Sequence, residues 1–236
     1  MKNRCLISRV LLALILLVTI SCSPLSRMVR EDQVLHWEKD IEHFDSLNAV
    51  EPADTSTLLV TGSSSVRLWN SVHEDLAPYH VMQRGYGGAK LTDFYYYTER
   101  IIQEGTMKAI LLFVANDITG GEFDRSPREV FHLFKAIVDK IRERNPGTPV
   151  FWIETTPTPS RWSANDQVRE ANDLIRRYCD RNNDLYFIGT YDAYLNQAGL
   201  PDSTFFRNDM LHMNPKGYAL WTERIKLNLE EAGITP

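Results

Sequence analysis

The sequence predicts an α/β domain of three layers, an α/β/α sandwich in which helices cover both faces of a five-stranded parallel sheet. Apolar runs alternate along the chain with helical patterns, which is typical of such a sheet. Each run is nearly continuous in Val, Ile, Leu and Phe, as expected of strands that are buried on both faces. The length of 236 residues suits one domain with a sizeable core, and we place it at 31–236.

The residues before this domain have the order of an export signal. Three basic side chains precede the apolar stretch Val10–Val18, and a charged segment followed by an apolar one is typical of secretory signals. The stretch is shorter than the roughly 20 apolar residues that a membrane-spanning helix needs. We therefore assign 1–21 to a signal peptide and 22–30 to a tether.

The signal ends in Ile20-Ser21-Cys22, which resembles the end of a bacterial lipoprotein signal. In such signals the cysteine is lipidated and becomes the first mature residue. We expect an exported protein that is anchored by lipid at the bacterial cell envelope, with Cys22 as the attachment site. An ordinary signal peptide cleaved nearby and an uncleaved anchor are the alternatives.

Charge and cysteine content restrict the partners and the covalent links. Removing 1–21, which carries three positive charges and no acidic residue, moves the formal net charge from −5 to −8. An acidic domain is a poor partner for nucleic acid. The domain keeps one cysteine, Cys179, so it forms no internal disulfide, and we interpret Cys179 as a core residue.

The elements follow from the apolar patterns in chain order. We predict strands near 57–62, 79–83, 108–114, 149–155 and 185–188. Apolar residues at helical spacing predict two helices, one carrying Val130, Phe134, Ile137, Val138 and Ile141, the other Val168, Ala171, Ile175 and Tyr178. A closing helix is predicted with Asn214 as its cap and Pro215 in its first turn.

Ligands of open parallel sheets lie beyond the carboxyl ends of the strands, so the loops that leave the strands are where a site is expected. Any one of these polar segments alone is equally consistent with a turn or a helix cap, or, for Asp209 and His212, with a surface pair. Their joint occurrence in order predicts one cleft, formed by Gly62–Ser65, Arg84–Ala89, Ala115–Gly121, Thr156–Trp162 and Asp209–His212.

Two of these segments predict the chemistry. The first places serine hydroxyls at a sharp strand exit, directly after Gly62. The last places Asp209 and His212 three residues apart, close enough for the carboxylate to orient the imidazole, which a serine nucleophile needs from its base. The pattern therefore favours a serine hydrolase.

From about Trp37 to the final helix the chain resembles the SGNH hydrolase superfamily, also called GDSL-type esterases and lipases. Ser64 matches the serine of the first block, and Ser63 stands where the family has an acidic residue. The remaining matches are the second-block glycine Gly88, the third-block asparagine Asn116, and the fifth-block pair Asp209 and His212, followed by Asn214-Pro215 and Gly217-Tyr218.

The resemblance implies a flavodoxin-like sandwich and a serine esterase that works through an acyl-enzyme. It implies a catalytic triad of Ser64, His212 and Asp209. It also implies an oxyanion hole made by the backbone N–H groups of Ser64 and Gly88 and by the side-chain amide of Asn116. No cofactor or metal is implied, and the histidines elsewhere lack the spacing of metal ligands.

The substrate is less constrained by the sequence. Ser160, Arg161 and Trp162 lie on a proline-rich loop expected to overhang the cleft, and we treat them as candidate substrate-binding residues, whereas Trp69 and Trp152 are interpreted as core. The loops offer no insertion for a long acyl trough, which favours small acyl groups on a small-molecule or glycan ester. A lysophospholipase or lipase, an acyltransferase and a non-catalytic binding module are the alternatives.

Overall fold

The computed structural model describes residues 34–236. The predicted signal peptide, the tether and Cys22 lie outside the described residues. Within the described range no helix is both long and apolar enough to cross a bilayer.

The sheet has five parallel strands in the order β2-β1-β3-β4-β5. Their bounds are β1 Thr57–Gly62, β2 His80–Gly85, β3 Ala109–Phe113, β4 Val150–Ile153 and β5 Leu185–Ile188. The register sets Gly62 opposite Gly85 on one side and Phe113 on the other, so three strands end at the same edge. This confirms the predicted five-stranded parallel sheet.

Two strand ends differ from the prediction by two residues, each for a physical reason. β2 continues through the polar residues Gln83 and Arg84, because the buried Arg84 guanidinium finds partners inside the domain. It binds Asn48 Oδ1 at 2.9 Å and Glu51 Oε2 at 3.0 Å. β4 ends two residues early, because the Thr155 backbone N–H donates to the Asn172 side-chain oxygen at 3.2 Å instead of to a neighbouring strand.

Helices cover both faces of the sheet and complete the three layers. One face is covered by α1, α4, α5 and α6, and the other by α2, α3 and α7. The bounds are α1 Glu38–Val50, α2 Ser64–Arg67, α3 Val72–Asp75, α4 Leu91–Ile101, α5 Pro127–Arg144, α6 Asn165–Cys179 and α7 Pro215–Glu231, with 3₁₀ turns at Leu35–Trp37, Pro159–Ala164, Tyr191–Tyr194 and Ser203–Phe205.

The two apolar layers contain the residues predicted to be core. Trp69, Trp152 and Cys179 are buried, and Trp69 stacks on Tyr218 with ring centroids 5.4 Å apart. Trp152 meets Phe134 edge to face at 5.1 Å. Large aromatic groups packed on both sides hold the sheet rigid, which fixes the positions of the loops at its carboxyl edge.

The closing helix α7 begins as predicted. Asn214 Oδ1 accepts the backbone N–H groups of Lys216 at 2.9 Å and Gly217 at 3.2 Å, and Pro215 occupies the first turn. A side chain at Gly217 would place its Cβ 2.5 Å from the Phe205 carbonyl oxygen, so only glycine allows this approach. The helix is thereby held against the segment that leads into His212.

Candidate active site

The turn after β1 presents Ser64. Gly62 has φ +138°, and a Cβ there would lie 1.8 Å from the carbonyl oxygen of Phe113, so only glycine fits between the strands. Ser63 is extended and its backbone N–H donates to that same carbonyl at 2.8 Å. The chain then turns directly into α2, whose first residue is Ser64. The Ser64 hydroxyl therefore lies at the carboxyl edge of the sheet.

The structure brings Asp209, His212 and Ser64 into one hydrogen-bonded chain. His212 Nε2 lies 3.0 Å from Ser64 Oγ, and His212 Nδ1 lies 2.7 Å from Asp209 Oδ2. A carboxylate only accepts, so we assign the ring proton to Nδ1, which leaves the Nε2 lone pair facing the serine hydroxyl. This is the arrangement in which a histidine removes a proton from a serine.

Asp209 remains ionised over the whole working range of such a site. Partial burial raises the pKa of its carboxyl, but hydrogen bonds lower it further, and the pKa is about 2. The donors are the His212 ring, the His212 backbone N–H at 2.9 Å and the Leu211 backbone N–H at 3.0 Å. The negative charge that orients the imidazole is therefore present in acid as well as at neutral pH.

Arg207 closes the loop that carries the acid and the base. Its backbone N–H donates to the His212 carbonyl at 2.8 Å, and its Nε donates to the Met213 carbonyl at 3.0 Å. Met210, between Asp209 and His212, adopts the left-handed region with φ +56°. The sequence pattern did not mark Arg207, because its partners are backbone carbonyls, which every residue carries.

Asn116 stands at the opposite side of the cleft, at the exit of β3. Its Nδ2 donates to the Ala89 carbonyl at 2.8 Å, so the loop that carries Gly88 lies beside it. Gly88 is exposed, with φ +72°, and a Cβ there would come within 3.2 Å of the Trp37 ring. The structure thus places the second-block glycine and the third-block asparagine next to each other.

A cavity of about 40 Å³ lies beside the Ser64 and His212 side chains, and Gly88 is not among the residues that line it. Ser64, Asn116 and His212 line it, together with the β4–α6 loop residues Arg161 and Trp162. Ser160 is exposed and is not among the lining residues, but its backbone N–H donates to the Met210 carbonyl at 3.1 Å. Two of the three candidate substrate-binding residues therefore face the cavity.

The family model of the GDSL-like lipase/acylhydrolase family matches residues 53–220, which is most of the domain. The chain belongs to this family. It is a carboxylic ester hydrolase with the fold of the SGNH hydrolases. Among curated proteins, none matches the sequence significantly.

Solved structures share the fold of this GDSL-like hydrolase at low sequence identity. A Streptococcus pneumonia protein, provisionally assigned as a platelet activating factor, is 19% identical with a TM-score of 0.73, covering 88% of this chain and 100% of its own. A GDSL-like lipase from Bacteroides thetaiotaomicron is 15% identical, with a TM-score of 0.66 over 81% and 98%. A carbohydrate esterase family 3 protein from Talaromyces cellulolyticus is 14% identical, with a TM-score of 0.54 over 75% and 98%.

The geometry gives physical reasons for the residues that follow His212 in the GDSL-like hydrolase. Asn214 caps α7, and Gly217 permits the close approach to Phe205 described above. Tyr218, on the same helix, donates its hydroxyl to the Ser65 carbonyl at 2.8 Å. One short motif therefore holds the histidine loop at one end and the nucleophile turn at the other.

Asp117 holds the end of the loop that carries Gly88 through a hydrogen bond to the backbone. Its Oδ2 accepts the Leu91 backbone N–H at 2.9 Å, so it caps the start of α4 rather than a helix that follows it. The carboxyl is fully buried, and its Oδ1 lies 3.4 Å from Arg125 Nε. Burial raises its pKa, the Leu91 hydrogen bond and the Arg125 charge lower it, and the pKa is about 6.

The raised pKa of Asp117 predicts a pH-dependent loss of stability. Between pH 4 and 6 the folded state holds a proton that the unfolded state has released, so the free energy of unfolding falls as pH rises. Asp117→Asn keeps an acceptor for the Leu91 N–H and removes the titration. Urea unfolding at several pH values should show wild type losing up to about 1.4 kcal/mol per pH unit relative to the variant. Parallel stability curves would contradict the assignment.

Proposed function

We propose that this GDSL-like hydrolase is a serine esterase that cleaves esters of small acyl groups through an acyl-enzyme. The observation that carries the proposal is the continuous chain from Ser64 Oγ through the His212 ring to Asp209 Oδ2, with links of 3.0 Å and 2.7 Å. An isolated serine is a weak nucleophile at neutral pH, and such a chain is what activates it.

The first half-reaction follows from these contacts. His212 Nε2 takes the hydroxyl proton as Ser64 Oγ attacks the ester carbonyl, and Asp209 stabilises the imidazolium that forms. When the tetrahedral intermediate collapses, the alcohol leaves with the proton from Nε2. The acyl group is then bound to Ser64 as an ester.

The negative charge of the tetrahedral intermediate needs donors that are already in place. Ser64 begins α2, so its backbone N–H is one of the first-turn donors that lack an intrahelical acceptor. Asn116 uses one side-chain N–H on the Ala89 carbonyl and has a second to offer. The exposed Gly88, with no side chain in the way, is the third donor.

In the second half-reaction His212 removes a proton from water, which attacks the acyl ester and releases the acid. Another alcohol entering in place of water would make the enzyme an acyltransferase. Product analysis with competing alcohols separates these two outcomes.

Ser64→Ala is predicted to abolish ester hydrolysis and labelling by a fluorophosphonate probe, because only an activated serine reacts readily with the probe. Ser65→Ala and Ser63→Ala are the matched controls, since they remove neighbouring hydroxyls of the same turn. Both controls should keep measurable hydrolysis of p-nitrophenyl acetate. Full activity in Ser64→Ala would refute the nucleophile, and absence of labelling in the wild type would favour a non-catalytic binding module.

The size of the cavity supports a small acyl group. At about 40 Å³ it has room for a short acyl group but not for a long chain. Behind it lies a second cavity of about 20 Å³. Four residues line both cavities and separate one from the other: Ala115, Ile118, Thr155 and Val168.

We place the alcohol side of the ester against Trp162, which lines the cavity and is partly exposed. An indole offers an apolar face on which a sugar ring can lie, and one structural neighbour is named as a carbohydrate esterase. Both observations support an acyl ester on a glycan as the substrate class.

We predict that catalytic efficiency on p-nitrophenyl esters is highest for acetyl or butyryl and falls towards palmitoyl. Val168→Ala opens the wall into the second cavity, so it should raise the hexanoyl-to-acetyl ratio of kcat/KM by about 10-fold. Val130→Ala is the matched control, because Val130 lines only the second cavity. A steady rise with chain length in the wild type, below substrate aggregation, would support a lipase instead.

We also propose that Cys22 carries a lipid that anchors the enzyme to the cell envelope. Cys22→Ser should abolish incorporation of a fatty-acid analogue and move the protein from the membrane fraction to the soluble fraction of cells. The resemblance of Ile20-Ser21-Cys22 to a lipoprotein signal supports this proposal. Labelling of the variant equal to that of the wild type would contradict it.

A further inference from the structure

The Arg161 guanidinium lies next to Asn116 and donates a hydrogen bond to its side-chain oxygen. Nη2 donates to Asn116 Oδ1 at 2.8 Å, and Nη1 donates to the adjacent Ala115 carbonyl at 2.6 Å. Two donors of one planar group thus hold two consecutive residues at the exit of β3. A guanidinium fork loses little freedom for each hydrogen bond it forms, so the hold is stiff.

This contact decides which way the Asn116 amide faces. A guanidinium can only donate, so the amide oxygen must face Arg161 and the NH₂ group must face away from it. On that side Nδ2 meets the Ala89 carbonyl at 2.8 Å, next to Gly88. If the amide were flipped, its NH₂ group would face the N–H groups of Arg161, and its oxygen would face the Ala89 carbonyl oxygen. Arg161 therefore excludes the orientation in which Asn116 cannot donate.

Among the described residues, no carboxylate contacts the Arg161 guanidinium. Within residues 34–236, no Asp or Glu forms an ion pair with it, although the guanidinium is largely buried. Burial lowers its pKa, and the charge of Asp124 partly offsets this effect. The Asp124 carboxylate is itself occupied by the backbone N–H groups of Thr119, Gly120 and Gly121.

A largely buried cation that no carboxylate contacts costs free energy, and that cost falls when negative charge appears nearby. The cavity bounded by Ser64, Asn116 and Arg161 is where the proposed reaction creates an oxyanion. The positive potential is thus fixed before the reaction begins, which is the condition under which charge stabilisation is most effective.

We propose that Arg161 is a positioning residue of the oxyanion hole: it holds the Asn116 amide with N–H towards the developing oxyanion and places a buried positive charge behind that donor. This rests on the proposed function. It gives Arg161 a role other than the direct substrate binding expected from the sequence, since two of its N–H groups hold oxygens of the protein.

The test is a double-mutant cycle with p-nitrophenyl acetate. Arg161→Met keeps the apolar stem and removes both hydrogen bonds and the charge. It should lower kcat by about 10- to 100-fold and change KM less than twofold. Asn116→Ala should lower kcat by about 10²–10³-fold. The variant with both changes should lose much less than the product of the two single effects, because Arg161 acts mainly through Asn116 and only the effect of its charge is left once that amide is gone.

Two further variants test whether the effect on kcat is specific to Arg161 and to its two hydrogen bonds. Arg142→Met is the matched control, since Arg142 also donates to backbone carbonyls, those of Thr148 and Asp184, outside the cavity lining. It should leave kcat within twofold. Arg161→Lys keeps the charge without the fork and should give a kcat between wild type and Arg161→Met. If Arg161→Met does not fold, Arg161→Lys takes its place in the cycle.

The outcomes separate the inference from the function on which it rests. Three results would overturn the positioning role. The first is that the effects of Arg161→Met and Asn116→Ala multiply in the double variant. The second is an unchanged kcat in Arg161→Met, and the third is a rise in its KM without a fall in kcat. The last result would assign Arg161 to substrate binding. An active Ser64→Ala would instead overturn the proposed function. If Asn116→Ala keeps the wild-type kcat while Ser64→Ala is inactive, Asn116 is not part of the oxyanion hole and the role inferred for Arg161 falls with it.

Discussion

The hydrogen bond between His212 Nε2 and Ser64 Oγ, 3.0 Å long, is the contact on which the site depends. It joins two groups that are 148 residues apart in sequence, one on the turn after β1 and the other just before α7. A displacement of 1 Å at either end would break it, so both ends need rigid support. Much of the architecture at the carboxyl edge provides that support.

The two ends are held by different means. On the serine side the support is steric, since the Phe113 carbonyl leaves no room for a side chain at Gly62. On the histidine side it is a set of hydrogen bonds, in which Asp209 accepts from the ring and from two backbone N–H groups. Tyr218 connects the two, because its helix follows the histidine loop and its hydroxyl reaches the carbonyl of Ser65.

Arginines used as donors to backbone carbonyls recur in this domain. Arg207 binds the Met213 carbonyl, Arg161 that of Ala115, and Arg142 that of Asp184. Many loop carbonyls have no partner in a strand ladder or a helix, and burying them unpaired costs free energy. The long arginine side chain brings donors to such carbonyls. Around this cleft the same hydrogen bonds also fix the direction of the loops that carry the reacting side chains.

The sequence by itself determined the order and type of the strands, because buried parallel strands need nearly continuous apolar runs such as Leu58-Leu59-Val60. It also determined the start of α7, since a cap such as Asn214 acts on its own next turn, and it indicated Ser64, Asp209 and His212 as candidates. Only the tertiary structure decided the partners of Arg161, Arg207 and Asp117. Most of those partners are backbone groups, and because every residue carries such groups, no local pattern distinguishes the ones that a side chain will reach.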